Sequence, residues 1–347
     1  MMRMLLTILT FGALLAPALR ADAQVYPDRV RSVTRTVHGI AHVGRYQGNQ
    51  RETRTERVQK TVSVRDGAEL VISNIAGDIV VTRGRGNEIG IEAVKTGRGR
   101  TADEAQRTVE LLQVAIIERG NRVEVRGRYP DSGNTRGRRS YSGSIAITIA
   151  APERTRVSAN SISGDISIRD ITGDLALETI SGDVGVSGAG RVTKAKTASG
   201  DVEITDTSID GALDSGSISG NVVLRNVKVE RLDVGSVSGD VILDNVQSES
   251  IDAQSLSGDV RLSGPLVRGG RYDLGSHSGN IRVVVSGDTG FEVDATSFSG
   301  TIRSDLNLKS VLTEGRAQRR RTLHGVYGDG SAFLDLTTFS GDIVIAR

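Results

Sequence analysis

The chain has 347 residues, of which 37% are apolar and 25% charged, with 42 glycines, 5 prolines, no cysteine and a formal net charge of +2. That apolar content supports a packed core and excludes a disordered or collagen-like chain. High glycine with low proline points to many short strands joined by tight turns. The missing cysteine excludes disulfide staples and thiolate chemistry.

The N-terminus reads as a secretory signal peptide over residues 1–23. Met1-Met2-Arg3 is a short basic start, Leu5 to Leu15 is an apolar run, and Ala21-Asp22-Ala23 offers small residues for cleavage after Ala23. The apolar run is short for a membrane span, which takes about 20 residues, and no later stretch could span, so no transmembrane segment is expected after the signal. Residues 24–60 carry eight Lys or Arg against three acids and read as a basic, flexible arm. Residues 61–156 read as an N-terminal β part. Its expected strands start at Lys60-Thr-Val-Ser-Val, Glu69-Leu-Val-Ile-Ser and Gly77-Asp78-Ile-Val-Val, and later at Val114, Arg122 and Ile145. One helix is expected over 101–114, capped by Thr101 with Glu104 completing a capping box. Val109, Leu111 and Leu112 form its apolar face, and its expected role is to cover one end of the repeats. Asp131 to Arg139 reads as a loop.

From residue 157 to 347 one mark recurs. Taking the glycine of each Ser-Gly step as origin, the origins are Gly164, Gly182, Gly200, Gly220, Gly239, Gly258, Gly279, Gly300 and Gly341, spaced by 18, 18, 20, 19, 19, 21, 21 and 41 residues. The last gap reads as two turns, one of them unmarked. The mark is Ser163-Gly164-Asp165, Ser181-Gly182-Asp183, Ser199-Gly200-Asp201, Ser219-Gly220-Asn221, Ser238-Gly239-Asp240, Ser257-Gly258-Asp259, Ser278-Gly279-Asn280 and Ser340-Gly341-Asp342, with Thr301 departing from it after Gly300. Three before each glycine stands Ser or Thr. Two after stands Ile or Val, and four after another aliphatic, with Ser304 the exception. Such alternation is strand chemistry. A unit near 20 residues cannot bury its apolar side alone, so the copies must stack. The expected fold is all-β, a β-solenoid resembling a single-stranded β-helix, of ~20-residue repeats. The serines are expected to bond along the ladder through their hydroxyls, and the aspartate column to repel itself wherever Asn does not interrupt it. All these marks are assigned turn-building, structural roles.

Val71-Ile-Ser-Asn-Ile-Ala-Gly-Asp-Ile, Ala151-Pro152 followed by serial Ser-Gly-Asp steps, and the closing Thr338-Phe-Ser-Gly-Asp-Ile-Val-Ile resemble the putative-adhesin family of bacterial β-strand-repeat proteins, a domain-of-unknown-function family. The resemblance covers about residues 60–347. It implies no catalytic residues and a place in the cell envelope or its stress response.

Residues 157–302 hold 21 acids against 11 Lys or Arg, so the chain's positive balance is no nucleic-acid signal. A β-helix carbohydrate enzyme would need an acid and base pair flanking one cleft and aromatic platforms. There is no Trp, and the acids are expected mainly in turn positions. Calcium rolls need denser Gly-Asp spacing, which leaves Asp165, Asp183 and Asp201 as at most an incidental site. His38 and His42 read as chance neighbours, His277 as the occupant of an apolar repeat position, and Arg319-Arg320-Arg321 as a solvated tip. No metal or cofactor is expected. The functional expectation is a non-catalytic, exported envelope protein, periplasmic or at the surface. It would be an adhesin-like or structural scaffold for an unidentified protein or envelope polymer. The alternatives are a regulatory partner in envelope stress and, last, a carbohydrate-active enzyme.

Overall fold

In the computed structural model the described residues are 51–130, 142–309 and 321–347, with backbone alone at 35–37 and 310–314. The expected signal peptide, His38, His42, the loop from Asp131 to Arg139, Arg319 and Arg320 lie outside them. The described chain is all-β: twenty-five strands and one helix, with every strand hydrogen-bonded into one connected network.

The repeats pair in parallel with every strand displaced by one repeat. Val202, Val222, Val241, Val260, Ile281 and Ile343 stand side by side after the glycines. Ser217, Ser236, Ser255, Ser276 and Thr338 stand side by side before them. The β-branched and Leu positions between point inward, and one continuous core runs from Val62 to Ile345. A second corner follows each first strand. Six residues after the glycine stand Asp170, Asp206, Asn226 and Asn245, each with φ between 51° and 56°. Asp and Asn are the non-glycine residues that best tolerate this left-handed conformation. Asn226 Nδ2 donates to Asp206 Oδ1 at 2.9 Å, and Asn245 Nδ2 donates to Asn226 Oδ1 at 2.9 Å. The sequence reading had not recognised this corner.

Three expectations need correction. First, the long gap before Gly341 is not two turns. Strand Ala332–Thr338 pairs with Arg271–Ser276 on one side and with Phe291–Ser297 on the other. The last repeat in sequence is therefore inserted between its two predecessors. The intervening chain makes strands Lys309–Glu314 and Arg321–Tyr327, and the latter pairs antiparallel with Phe291–Ser297. Both departures from the mark, Thr301 and Ser304, fall in the displaced repeat, beyond which no further repeat stacks.

Second, the arm expected over 24–60 gives way to strand Glu52–Ser63. This strand pairs antiparallel with Glu88–Gly99, a strand the sequence reading did not identify, and that one with Ser142–Ala151. Lys95, nearly buried, pairs with Glu56 at 2.8 Å across the first of these ladders; of the first strand only the end, from Lys60, had been expected.

Third, the helix spans Ala102–Leu111, shorter than expected at its C-terminal end. Thr101 caps it by accepting from the Glu104 N–H at 3.2 Å, while Glu104 Oε2 accepts from the Arg100 N–H at 2.9 Å rather than from Thr101. Ala105, Val109 and Leu112 are buried, but Leu111 faces solvent. The helix lies on glycines: a Cβ on Gly97 would fall 2.4 Å from the Ala105 carbonyl oxygen.

Candidate functional site

Each repeat crosses from one ladder to the next through the Ser-Gly-Asp step, and the step is held by backbone groups. A Cβ on Gly239 would sit 2.1 Å from the Gly220 carbonyl oxygen, and one on Gly341 2.1 Å from that of Gly279. Glycine is required there because no side chain fits between stacked backbones. The hydroxyl three before the glycine is buried and donates to the glycine carbonyl of the preceding repeat. Examples are Ser236 to Gly220 at 2.8 Å, Ser255 to Gly239 at 2.9 Å and Thr338 to Gly279 at 2.9 Å. Ser297 donates to Gly341 at 2.9 Å, as the displaced order requires. At the other end Asn74 already donates to the Gly77 carbonyl at 2.8 Å, and Ser161 Oγ has no partner.

The aspartate after the glycine does not simply repel its neighbours. Its Oδ1 accepts the backbone N–H of the equivalent residue in the next repeat. Asp165 accepts from Asp183 at 2.9 Å, Asn221 from Asp240 at 2.9 Å, Asp240 from Asp259 at 2.9 Å, and Asn280 from Asp342 at 2.9 Å. Asp342 accepts from the Thr301 N–H at 2.7 Å, and this bond holds its pKa below the usual carboxylate value. The serines just before the glycines stay on the surface. They align through backbone bonds, such as the Ser257 N–H to the Val237 carbonyl at 2.9 Å, and not through the hydroxyl ladder that was expected.

Outward from this scaffold the strand before each glycine presents three columns. The first, two residues before the glycine, is apolar and open to solvent: Ile162, Ile180, Ala198, Ile218, Val237 and Leu256 are each partly exposed. Ile75 begins the column at 42% exposure, and Phe339 and Phe298 end it at 40% each. His277 belongs to this column and stacks on Phe339 with ring centroids 5.0 Å apart. Phe298 stacks on the other face of Phe339 at 4.8 Å. The second column, four before the glycine, is small or polar and includes Gly216, Gly235, Gln254, Gly275 and Thr337.

The third column, six before the glycine, is acidic. Asp214, Asp233, Asp252, Asp273, Asp335 and Asp294 stand directly opposite one another in consecutive strands. Lys196 pairs with the first at 2.6 Å. His324 bonds the last at 2.7 Å, which raises the histidine pKa. The middle four make no ion pair among the described residues. Burial, then the neighbouring carboxylates, push the pKa values of Asp233 and Asp273 upward, partly offset by Lys196 for Asp233 and by Arg271 and Gln254 for Asp273. Gln254 Nε2 donates to Asp252 Oδ1 at 3.0 Å, and its side chain lies over Gly275.

The sequence reading placed the repeat acids mainly in turns and missed this strand column. The signal was present: the six aspartates keep the period of the glycines. The turn aspartates Asp165, Asp183 and Asp201, weighed as an incidental metal site, are engaged with backbone N–H groups.

Residues 68–346 match the family model described as Toastrack DUF4097, a domain of unknown function. The chain belongs to this family. Solved structures similar to it include a candidate adhesin of Bacteroides fragilis NCTC 9343, at 15% identity and a TM-score of 0.39, covering 83% of this chain and 96% of that one. A candidate adhesin of Parabacteroides distasonis ATCC 8503 aligns at 10% identity and a TM-score of 0.40, with the same coverages of 83% and 96%. A candidate lipid-binding protein of the same organism aligns at 12% identity and 0.38, covering 84% and 97%. No curated protein matches the chain.

Proposed function

We propose that this Toastrack protein is a non-catalytic binding scaffold of the cell envelope, adhesin-like in the broad sense. In this reading it is exported with cleavage after Ala23 and wound as a β-solenoid of ~20-residue repeats. The observation that carries the reading is the three-column face: apolar, small and acidic positions repeat in register along the stacked strands. A periodic flat surface of this kind suits an elongated macromolecule better than a small molecule. The winding is supported by the parallel pairing of each repeat with the next.

A depression lined by Asp259, Arg261, Asn280, Arg282 and Asp342 is a place for the enzyme alternative to sit. Its carboxylates are engaged: Asp259 accepts from the Asn280 N–H at 2.9 Å and Asp342 from the Thr301 N–H at 2.7 Å. Acids fixed as backbone acceptors are poorly placed for proton transfer. The described helices include none long and apolar enough to cross a membrane.

The test is retention of envelope-extract components and arrayed glycans on the immobilised chain, with Leu256→Ser/Phe339→Ser as the face variant and Glu203→Gln as a distant control. Retention lost only in the face variant is the expected result. Retention indifferent to the face, or the release of new reducing ends from a glycan, would overturn the reading.

A further inference from the structure

Resting on the reading of this face as the recognition surface, we propose that its occupant is a basic amphipathic helix of a partner protein, lying across the strands along the column of small residues. Three features select that chemistry. The apolar column, interrupted by His277, ends in the exposed, mutually stacked Phe339 and Phe298. The acidic column runs parallel to it, four residues along each strand, and its middle members Asp233, Asp252 and Asp273 make no ion pair among the described residues. Between them the column is small, with Gly216, Gly235 and Gly275, and Gln254 lies across the last of these.

The spacing fits a helix. Stacked strands repeat at about 4.8 Å, and successive turns of a helix at about 5.4 Å. Over the five steps from Asp214 to Asp294 the mismatch accumulates to only ~3 Å, within the reach of lysine and arginine side chains. The span of about 24 Å corresponds to roughly 16 helical residues. A row of cations on one side of such a helix meets the aspartates, and its apolar stripe meets the Ile, Val, Leu and Phe column, the helix-in-groove mode of recognition. A second copy of this chain would present the same acidic column and no row of cations to meet it. Anionic lipid is repelled by the same column.

The experiment is fluorescence anisotropy with a dye-labelled 18-residue peptide of leucine and lysine, arranged with one apolar and one basic helical face. A permuted peptide of the same composition without faces is the control. The intact mature chain should bind the amphipathic probe about tenfold more tightly than the permuted one. Asp233→Asn/Asp252→Asn/Asp273→Asn and Leu256→Ser/Phe339→Ser should each weaken binding about tenfold, whereas Asp183→Asn/Asp201→Asn in the turn column should change it less than about twofold. Melting curves confirm that each variant is folded, and the triple Asp→Asn variant keeps the test valid should the apolar pair fail to fold.

Equal binding of the two peptides would overturn the proposal, as would indifference to both variants. So would self-association, or binding to phosphatidylcholine vesicles, that is lost in Leu256→Ser/Phe339→Ser. If extract retention depends on the face while the amphipathic probe does not bind, the helix is wrong and the recognition face stands.

Discussion

Asp233→Asn should make the protein more stable at neutral pH. Asp233 stands opposite Asp214 on one side and Asp252 on the other, and burial together with those carboxylates raises its pKa. A raised folded-state pKa means that the folded chain holds this proton more tightly than the unfolded chain. Stability linked to the group is therefore complete below the unfolded aspartate range and is lost as pH rises through the folded pKa. Asparagine removes that loss. Each directly opposed like-charge pair costs about 0.2–1 kcal/mol. Because Asp233 is packed between its neighbours yet still reached by solvent, screening limits the two pairs together to about 0.5–1 kcal/mol. For a domain of this size that corresponds to roughly 1–4 °C in Tm.

The assay is paired urea melts of the mature protein and the variant at about pH 7 and about pH 3.5, on either side of the ordinary aspartate pKa. The gain should be present at the higher pH, vanish at the lower, and shrink in about 1 M salt, where screening acts within ~3 Å. A variant less stable at neutral pH, or a gain equal at both pH values, would refute the argument. Either would show that the carboxylate makes a favourable contact in the folded protein.

Other outcomes follow from the scaffold. Gly239→Ala places a methyl 2.1 Å from the Gly220 carbonyl oxygen, so two stacked backbones must part, and a loss of about 1–3 kcal/mol or more is expected in urea melts. Leu243→Ala removes a fully buried side chain packed in register between Leu224 and Leu262, at a cost of about 2–5 kcal/mol. Asp240→Asn should cost less than about 1 kcal/mol, because the amide oxygen still accepts the Asp259 N–H; a ranking in which Asp240→Asn is the worse of the two would invert the register. Thermal melts with and without a chelator should coincide, since the turn carboxylates are held by backbone N–H groups, and a drop of many degrees would make them cation ligands.

What the sequence disclosed was whatever repeats at fixed distance from the glycine. The inward Ile, Val and Leu positions follow from local steric and pattern rules, and they are buried as those rules expect. What it did not disclose depends on which strands become neighbours in space. The pairing of Glu52–Ser63 with Glu88–Gly99 is one such case: Ile89, Ile91 and Ala93 alternate inward, but nothing local says which strand lies beside them. The insertion of Ala332–Thr338 between earlier strands has no local signature except by its consequence. Thr301 and Ser304 depart from the pattern because the repeat that carries them ends the stack: no later N–H needs an acceptor from residue 301, and Ser304 needs to pack against only one neighbouring strand.

The two acidic columns differ in what the fold asks of them. After the glycine, the position needs only an oxygen that accepts the next N–H, and Asn221 and Asn280 serve there as well as aspartate does. Charge at that position is incidental. Six before the glycine no such demand exists, because the strand N–H groups are already bonded in the ladder. A neutral residue would remove the opposition of like charges at every step. Yet the six neighbouring strands from Asp214 to Asp294 carry aspartate there without one asparagine. Aspartate at these six positions adds like-charge opposition along the ladder, and the proposed cationic, apolar partner would relieve it.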